Sequence, residues 1–280
     1  MGASVFFDNV VIITGASSGI GRELAHQLAA EGARLALASR NAARLEEVAV
    51  ECRELGGTAM AVPTDIGDET RCKSLIDATV AEYGRIDTLI NNAGYGMQGK
   101  LEDLPDLNGF RALINANLLG SVYCTYYALP HIMRTKGRIV AVSSVSGKIG
   151  SPGNTAYCAS KFGMAGFFDS LRLEMKQHDV SVTVIYPGFV VTEFAERVVK
   201  PDGTPVGEAG RKMYTKYMMS AKTCASIIIG ATAERRRSAV LSFEGKIGVW
   251  MNNNFPGIVD SIIFSFFKAR KKRLEKNNVS

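Results

Sequence analysis

The stretch AYCASKF, residues 156–162, places a tyrosine and a lysine four positions apart with only small side chains between them. On a helix Tyr157 and Lys161 stand one turn apart on the same face. Such a pair is either an ordinary surface contact or a proton donor beside its tuning charge. A free phenol has a pKa near 10, so it is a poor acid–base group at neutral pH. An adjacent ammonium favours the phenolate, and lowering the phenol by ~3 units takes about 4 kcal/mol of differential stabilisation. The rest of the chain decides between the two readings.

A second constellation lies near the start. A strand-like run leads into TGASSGIGREL, where Gly15, Gly19 and Gly21 precede a helical pattern. Glycines there allow a tight turn and close backbone approach, and the following helix N-terminus attracts phosphate. At the opening of a first strand–helix unit this spacing predicts a dinucleotide-binding turn. The second strand ends in LASRN, with Ser39 and Arg40 where an NAD site has an acidic residue for the ribose. An arginine fork suits a 2′-phosphate, so NADP(H) is preferred to NAD(H); the plainer alternative is that Arg40 caps a solvated turn.

The elements that must position these residues alternate. NVVIIT (9–14), RLALAS (34–39), TAMAV (58–62), DTLIN (87–91), GRIVAVSS (137–144) and SVTVIY (181–186) are nearly uninterrupted apolar runs, as in parallel strands covered on both faces. Helix-length segments at 19–31, 41–55, 68–83, 107–135 and 155–178 separate them, and SAVLSF (238–243) supplies a last strand. This predicts an α/β fold, a doubly wound, Rossmann-like parallel sheet in three layers, α/β/α. One domain is expected over residues 1–243, followed by a helical, basic extension over 244–280. The segment 193–220, containing KPDGTPVGEAG, breaks the alternation after the sixth strand's carboxyl end, where such sheets bind ligands. A lid and a plain surface loop both fit it.

Composition narrows the classes. An apolar fraction of 46% and a charged fraction of 21% are those of a globular protein able to bury a core. Five cysteines without a C-x-x-C pair fit reduced thiols rather than a disulfide framework, and no metal site is indicated. The net charge is +6, of which residues 260–280 contribute +4, so the body is nearly balanced and a nucleic-acid surface is not expected. The opening MGASVFFDNV has no basic region ahead of its apolar residues, so a secretory signal is not read there and a cytoplasmic protein is expected.

Taken together, TGASSGIG, NNAG (91–94), Tyr157-x-x-x-Lys161 with a serine thirteen residues before the tyrosine, and YPGFVVT (186–192) resemble the short-chain dehydrogenase/reductase superfamily, over roughly residues 8–243. The resemblance implies an oxidoreductase acting on CH–OH and C=O groups. It makes Tyr157 the general acid for a carbonyl oxygen and Lys161 its tuner and a ligand of the nicotinamide ribose. Ser144 is then the residue that orients the carbonyl, and Asn117 holds a water linking Lys161 to solvent. Ser143 and Asn115, their neighbours, are read as turn and cap chemistry. The same resemblance implies cofactor contacts from Ser17, Ser18 and Ile20 in the glycine turn, Asp65 at the adenine, and Ala93 and Gly94 at the ribose. Asn91 is expected to stabilise the sheet nearby, and Pro187, Gly188, Val190 and Thr192 to face the nicotinamide. Ala159 and Ser160 would leave room for its ribose, while Cys158 faces protein. His26, His131 and His178 match no motif. The family often assembles through its two long helices, which implies a homodimer or homotetramer.

The substrate end is less legible. Met97, Ile149, Phe189, Phe194, Met213, Tyr214, Met218 and Met219 are adaptable apolar residues suited to a steroid, retinoid, lipid or aromatic ketone, or else core of the lid. A catalytically silent NADP(H)-binding regulator, a structural membrane adaptor and a 3-oxoacyl-type reductase are the alternatives. The run IVDSIIFSFF (258–267) is too short to span a bilayer, but with the basic residues through 276 it reads as an interfacial helix, the alternative being a helix packed on the body or on a second subunit.

Overall fold

Seven short apolar strands form one parallel sheet in the order β3-β2-β1-β4-β5-β6-β9. They are β1 (Val10–Thr14), β2 (Arg34–Ser39), β3 (Thr58–Pro63), β4 (Thr88–Asn91), β5 (Arg138–Val142), β6 (Ser181–Tyr186) and β9 (Ser238–Val240). The computed structural model describes residues 4–207 and 218–277, with side chains through residue 269. Alternation sends Val11 and Ile13 to one face of the sheet and Ile12 to the other, and all three are fully buried. Burying each such side chain is worth about 1.5–3 kcal/mol, which explains why the strands tolerate almost no polar residue.

One face is covered by α1 (Gly19–Ala30), α2 (Ala42–Glu54) and α7 (Ala221–Ala233), whose Leu24, Leu28, Leu45, Val48 and Ile228 fill that core. The other carries α3 (Glu69–Tyr83), α5 (Gly120–Thr135) and α6 (Thr155–Glu174), through Leu75, Ile76, Ile132, Met164 and Phe168. The strand order reverses between β1 and β4, so the crevice for a ligand opens at their carboxyl ends. Helix starts are fixed locally: the side chains of Asn41 and Asp68 accept hydrogen bonds from Arg44 N and Arg71 N at the heads of α2 and α3. The five cysteines are free and buried.

Three departures from the sequence pattern matter for the site. The segment expected as one helix over 107–135 is α4 (Asn108–Ile114), a π-helical turn Asn115–Leu119, and α5. The last strand stops at Val240, because Ser242 turns the chain and caps α8 (Phe243–Asn254), accepting from Gly245 N at 3.0 Å. The segment after β6 is ordered where it is described. A two-stranded ribbon pairs β7 (Val190–Val191) with β8 (Met219–Ser220), and Val199 N donates to Gly96 O at 2.9 Å while Gln98 N donates to Val199 O at 2.9 Å. Val198, Val199 and Pro201 thus lie against the loop after β4, and residues 203–207 fold back on residues 196–200. The expected wall residues Met213 and Tyr214 fall outside the described residues. The chain closes with α9 (Pro256–Asn277).

Candidate active site

The two glycine-bearing loops at the switch point interlock. Gly15 has φ +68°, and a Cβ on it would sit 2.8 Å from Ala93 Cα. A Cβ on Gly21 would overlap the Gly15 carbonyl oxygen and approach Asn92 Nδ2 to 2.7 Å. No side chain other than hydrogen fits either place. Asn92 locks the turn by donating from Nδ2 to Thr14 O at 2.9 Å and to Gly15 O at 3.3 Å. Thr14 Oγ1 reciprocates by accepting from Asn92 N and Ala93 N, both at 3.0 Å. Neither Thr14 nor Asn92 was singled out from the sequence, although both stand within the motifs TGASSGIG and NNAG.

The turn delivers the head of α1, whose N-terminal residue Ser18 makes no side-chain cap. Those first N–H groups and the dipole behind them face the crevice, a cradle of the right shape and charge for a pyrophosphate. Ile20 packs its side chain towards the core, so its backbone is the part offered to a ligand. Thr192 lies over the turn, 3.1 Å from where a Gly19 Cβ would be. Pro187 O accepts from Val145 N at 2.9 Å, and Gly188 lets Ser242 Oγ approach to 2.6 Å of a would-be Cβ. Val190 enters β7 and packs on the core.

At the other end, Arg40 is exposed beyond β2, with Ser39 Oγ donating to Asn41 O at 3.4 Å. Asp65 accepts from Gly67 N at 3.0 Å. Burial pushes the Tyr95 phenol up; the nearby Arg40 charge opposes this and the Asp65 charge adds to it. Arg40, Asp65 and Tyr95 therefore share one neighbourhood at the carboxyl ends of β2, β3 and β4. Asn91 stays in the sheet, donating to Thr125 Oγ1 at 3.0 Å.

The chemical residues converge from β5 and α6. Lys161 is only 4% exposed and donates to Val142 O at 2.9 Å. Its Nζ lies 5.9 Å from the centroid of the Tyr157 ring. Gly94 lies beside the pair: a Cβ there would be in ordinary contact with Lys161 Nζ at 3.6 Å but tight against Asn117 Oδ1 at 3.0 Å. Ser144 closes the group: its Oγ accepts from Ser146 N at 3.1 Å, leaving its own proton to give, and it hydrogen-bonds the Tyr157 hydroxyl.

Asn117, fully buried on the π turn, accepts from Tyr95 N at 3.0 Å and donates to Tyr95 O at 2.9 Å and Ser160 Oγ at 3.1 Å. Both amide hydrogens are thus spent on protein, and the side chain braces the β4 loop against α6. Irregular turns of this kind recur at functional sites because they free backbone groups. Ser160 is consequently a buried strut and not the clearance for a ribose expected from its size, and Ala159 is exposed. Cys158 faces protein. Ser143, read as turn chemistry, is also structural in a more specific way: its Oγ donates to Lys161 O at 3.0 Å and ties α6 to β5. Asn115 donates to Gly67 O at 2.6 Å.

Without the cofactor's charge, burial sets the electrostatics of the pair. Burial pushes the Tyr157 phenol up to about 12, and the hydrogen bond from Ser144 offsets only part of that. Burial also lowers Lys161 to about 8. The same desolvation that isolates the pair opposes charge on either member.

Of the expected substrate wall, Phe194 takes part: its ring lies 6.0 Å from that of Tyr157 and contacts the face of Gly96. Met97 is instead buried in a small core with Leu113 and Ala156. Met219 packs on the main core, Ile149 meets α8 at Gly248, and Phe189 is 72% exposed. Val198, not foreseen, faces Gly96 beside Phe194.

The model of the short chain dehydrogenase family matches residues 9–203, and the chain belongs to that family. It is 35% identical over 278 residues to dehydrogenase/reductase SDR family member 7B of Bos taurus, covering 96% of this chain and 84% of that protein. It is 41% identical over 185 residues to 11-beta-hydroxysteroid dehydrogenase-like 2 of Arabidopsis thaliana, where the match covers 66% of this chain and only 60% of the relative's length. A short chain dehydrogenase/reductase from Burkholderia phymatum, solved with NAD, superposes with a TM-score of 0.81 at 25% identity, over 92% of this chain and 96% of that one.

Lys161 generates a pH prediction. Between about 8 and 10.5 the unfolded chain holds a proton on this lysine that the folded protein does not, so folded stability rises with pH across that window. Below it the buried ammonium costs on the order of 3 kcal/mol. Lys161→Met should therefore be more stable than the parent in urea melts at pH 7, with the difference shrinking as pH approaches 10. A constant difference from pH 7 to 10 would contradict the burial of a titrating lysine.

Proposed function

We propose that the chain is an NADP(H)-dependent oxidoreductase that reduces a carbonyl, and reversibly oxidises the alcohol, on a hydrophobic and steroid-like small molecule. The observation that carries the reading is the convergence of Ser144, Tyr157 and Lys161 beside an interlocked glycine turn. The nicotinamide cofactor, bound along the crevice, would supply or accept hydride. Gly15, Ser17, Ser18, Gly19, Ile20 and Gly21 would hold its pyrophosphate; Ser39, Arg40, Asp65, Ala93 and Gly94 its adenosine half; and Pro187, Gly188, Val190 and Thr192 its nicotinamide end.

The chain's own residues do the proton chemistry. Ser144 donates a hydrogen bond to the carbonyl oxygen and orients it toward Tyr157. The high pKa of the phenol keeps it protonated at neutral pH, ready to give its proton as negative charge develops on that oxygen. Lys161, near 8, favours the phenolate that remains once its ammonium is charged. Phe194 shields the phenol from water. Hydroxysteroid dehydrogenase names among the relatives support a steroid-like substrate. An intact proton donor disfavours the silent regulator, which needs only the nucleotide half.

Two surfaces extend the reading. Tyr126 on α5 and Phe162 and Leu173 on α6 are exposed, an apolar face that favours pairing of these helices in a homodimer or homotetramer. On α9 the residues Val259, Ile263 and Phe267 turn toward the body, while Ile258, Ile262 and Phe266 form an exposed stripe one helical step away. With the basic residues that follow, the stripe supports peripheral contact with an anionic membrane. Among the described residues no helix is long and apolar enough to cross a bilayer.

Tyr157→Phe should lower single-turnover oxidation of NADPH by a ketone panel about 10²–10⁴-fold with nucleotide binding intact. Unimpaired turnover would remove Tyr157 from the chemistry. Arg40→Ala should weaken NADPH about tenfold or more in fluorescence titration and leave NADH nearly unchanged; equal losses would place Arg40 away from the 2′-phosphate. The full chain should co-sediment with phosphatidylserine vesicles at low salt and release at high salt. No sedimentation at low salt would exclude the membrane contact.

A further inference from the structure

The segment after β6 sends a charge back across the glycine turn. A one-turn 3-10 helix, Ala195–Arg197, follows Phe194. From it the Arg197 guanidinium donates to Ser18 Oγ, at the head of α1, and pairs with Glu193 at 3.2 Å. Glu193 is close as well, with Oε2 at 3.9 Å from a would-be Cβ on Gly19. An arginine and a glutamate therefore stand where a pyrophosphate would lie, one complementary to it and one opposed.

We propose that Arg197 is a pyrophosphate ligand and that Glu193 is its place-holding counter-ion, an assignment that rests on the dinucleotide reading above. The planar guanidinium fork suits phosphate oxygens as it suits a carboxylate, so Arg197 exchanges Glu193 for the pyrophosphate with little movement. The exchange has a mechanical consequence. Arg197 follows Phe194, which lies against Tyr157, and precedes Val199, whose backbone pairs with Gly96 and Gln98. Val206 N donates to Val198 O at 2.7 Å, and Gly207 N to Glu196 O at 3.2 Å, so the arginine sits at the base of a hydrogen-bonded loop. Holding Arg197 on the pyrophosphate fixes both the aromatic wall over the phenol and the loop against the substrate side.

The test is fluorescence titration of the full chain with NADPH, and competition by adenosine 2′-monophosphate, which reaches Arg40 but carries no pyrophosphate. Arg197→Gln should weaken NADPH about tenfold or more while leaving adenosine 2′-monophosphate unchanged. Glu193→Gln should strengthen NADPH, because it removes a like charge and releases the arginine. Parental thermal stability of both variants separates these effects from misfolding, and the opposite signs cannot arise from a general loss of structure. Unchanged NADPH affinity in Arg197→Gln, or an equal loss for the fragment, would overturn the assignment. A parent chain that binds no nicotinamide nucleotide would overturn the dinucleotide reading itself.

Discussion

The site depends on one buried ammonium. Lys161 is almost wholly enclosed, and the contact that holds it is a carbonyl, Val142 O, at the end of β5. A carbonyl dipole compensates a desolvated cation only in part, which is why the lysine's proton is held loosely. Everything around it maintains that position at a cost in packing freedom. Ser143 anchors the Lys161 carbonyl, and a Cβ on Gly147 would stand 2.6 Å from Ser143 Oγ and 2.7 Å from Lys161 O. The π turn of residues 115–119 meets the same helix from the other side, where Gly163 accepts Leu118 at 2.9 Å from a would-be Cβ.

The nucleotide half of the crevice follows a different principle. There the constraint is backbone clearance, not charge. Gly15 and Gly21 touch each other and the NNAG loop so closely that a single methyl group would separate β1 from β4. Asn92 and Thr14 convert that proximity into four hydrogen bonds between the loops. Because β1 and β4 are also the neighbours at which the strand order reverses, the turn and the crevice are formed by the same contact.

Much of this was legible in the chain. Uninterrupted apolar runs identify the six core strands because parallel strands are buried on both faces, and Gly15, Gly19 and Gly21 mark a turn that other residues could not enter. Spacing picked out Tyr157, Lys161 and Ser144, which the fold brings together. What escaped were the braces. Asn117 also braces the β4 loop to α6 through Tyr95 and Ser160, partners 22 and 43 residues away in sequence, a role its motif does not reveal. Ser143 looked like turn chemistry because its partner is a backbone carbonyl supplied by another element. Spacing reveals the neighbouring lysine but not the desolvation that raises the phenol here. The substrate wall was the least legible. Apolar type does not distinguish Met97, which packs inward, from Phe194, which faces the phenol.

That last ambiguity has a physical source in the segment after β6. Its residues serve two surfaces at once, the glycine turn through Thr192, Glu193 and Arg197 and the carbonyl side through Phe194, Val198 and Val199. Alternate duties on adjacent residues erase any simple periodicity, so the stretch reads as a loop. The same interleaving makes the two halves of the crevice interdependent. A chain that must lay Phe194 on the phenol cannot do so without also presenting Glu193 and Arg197 to the phosphate turn, only one residue before and three after. The segment thus ties the wall beside the phenol to the side chains at the glycine turn within about one helical turn of chain.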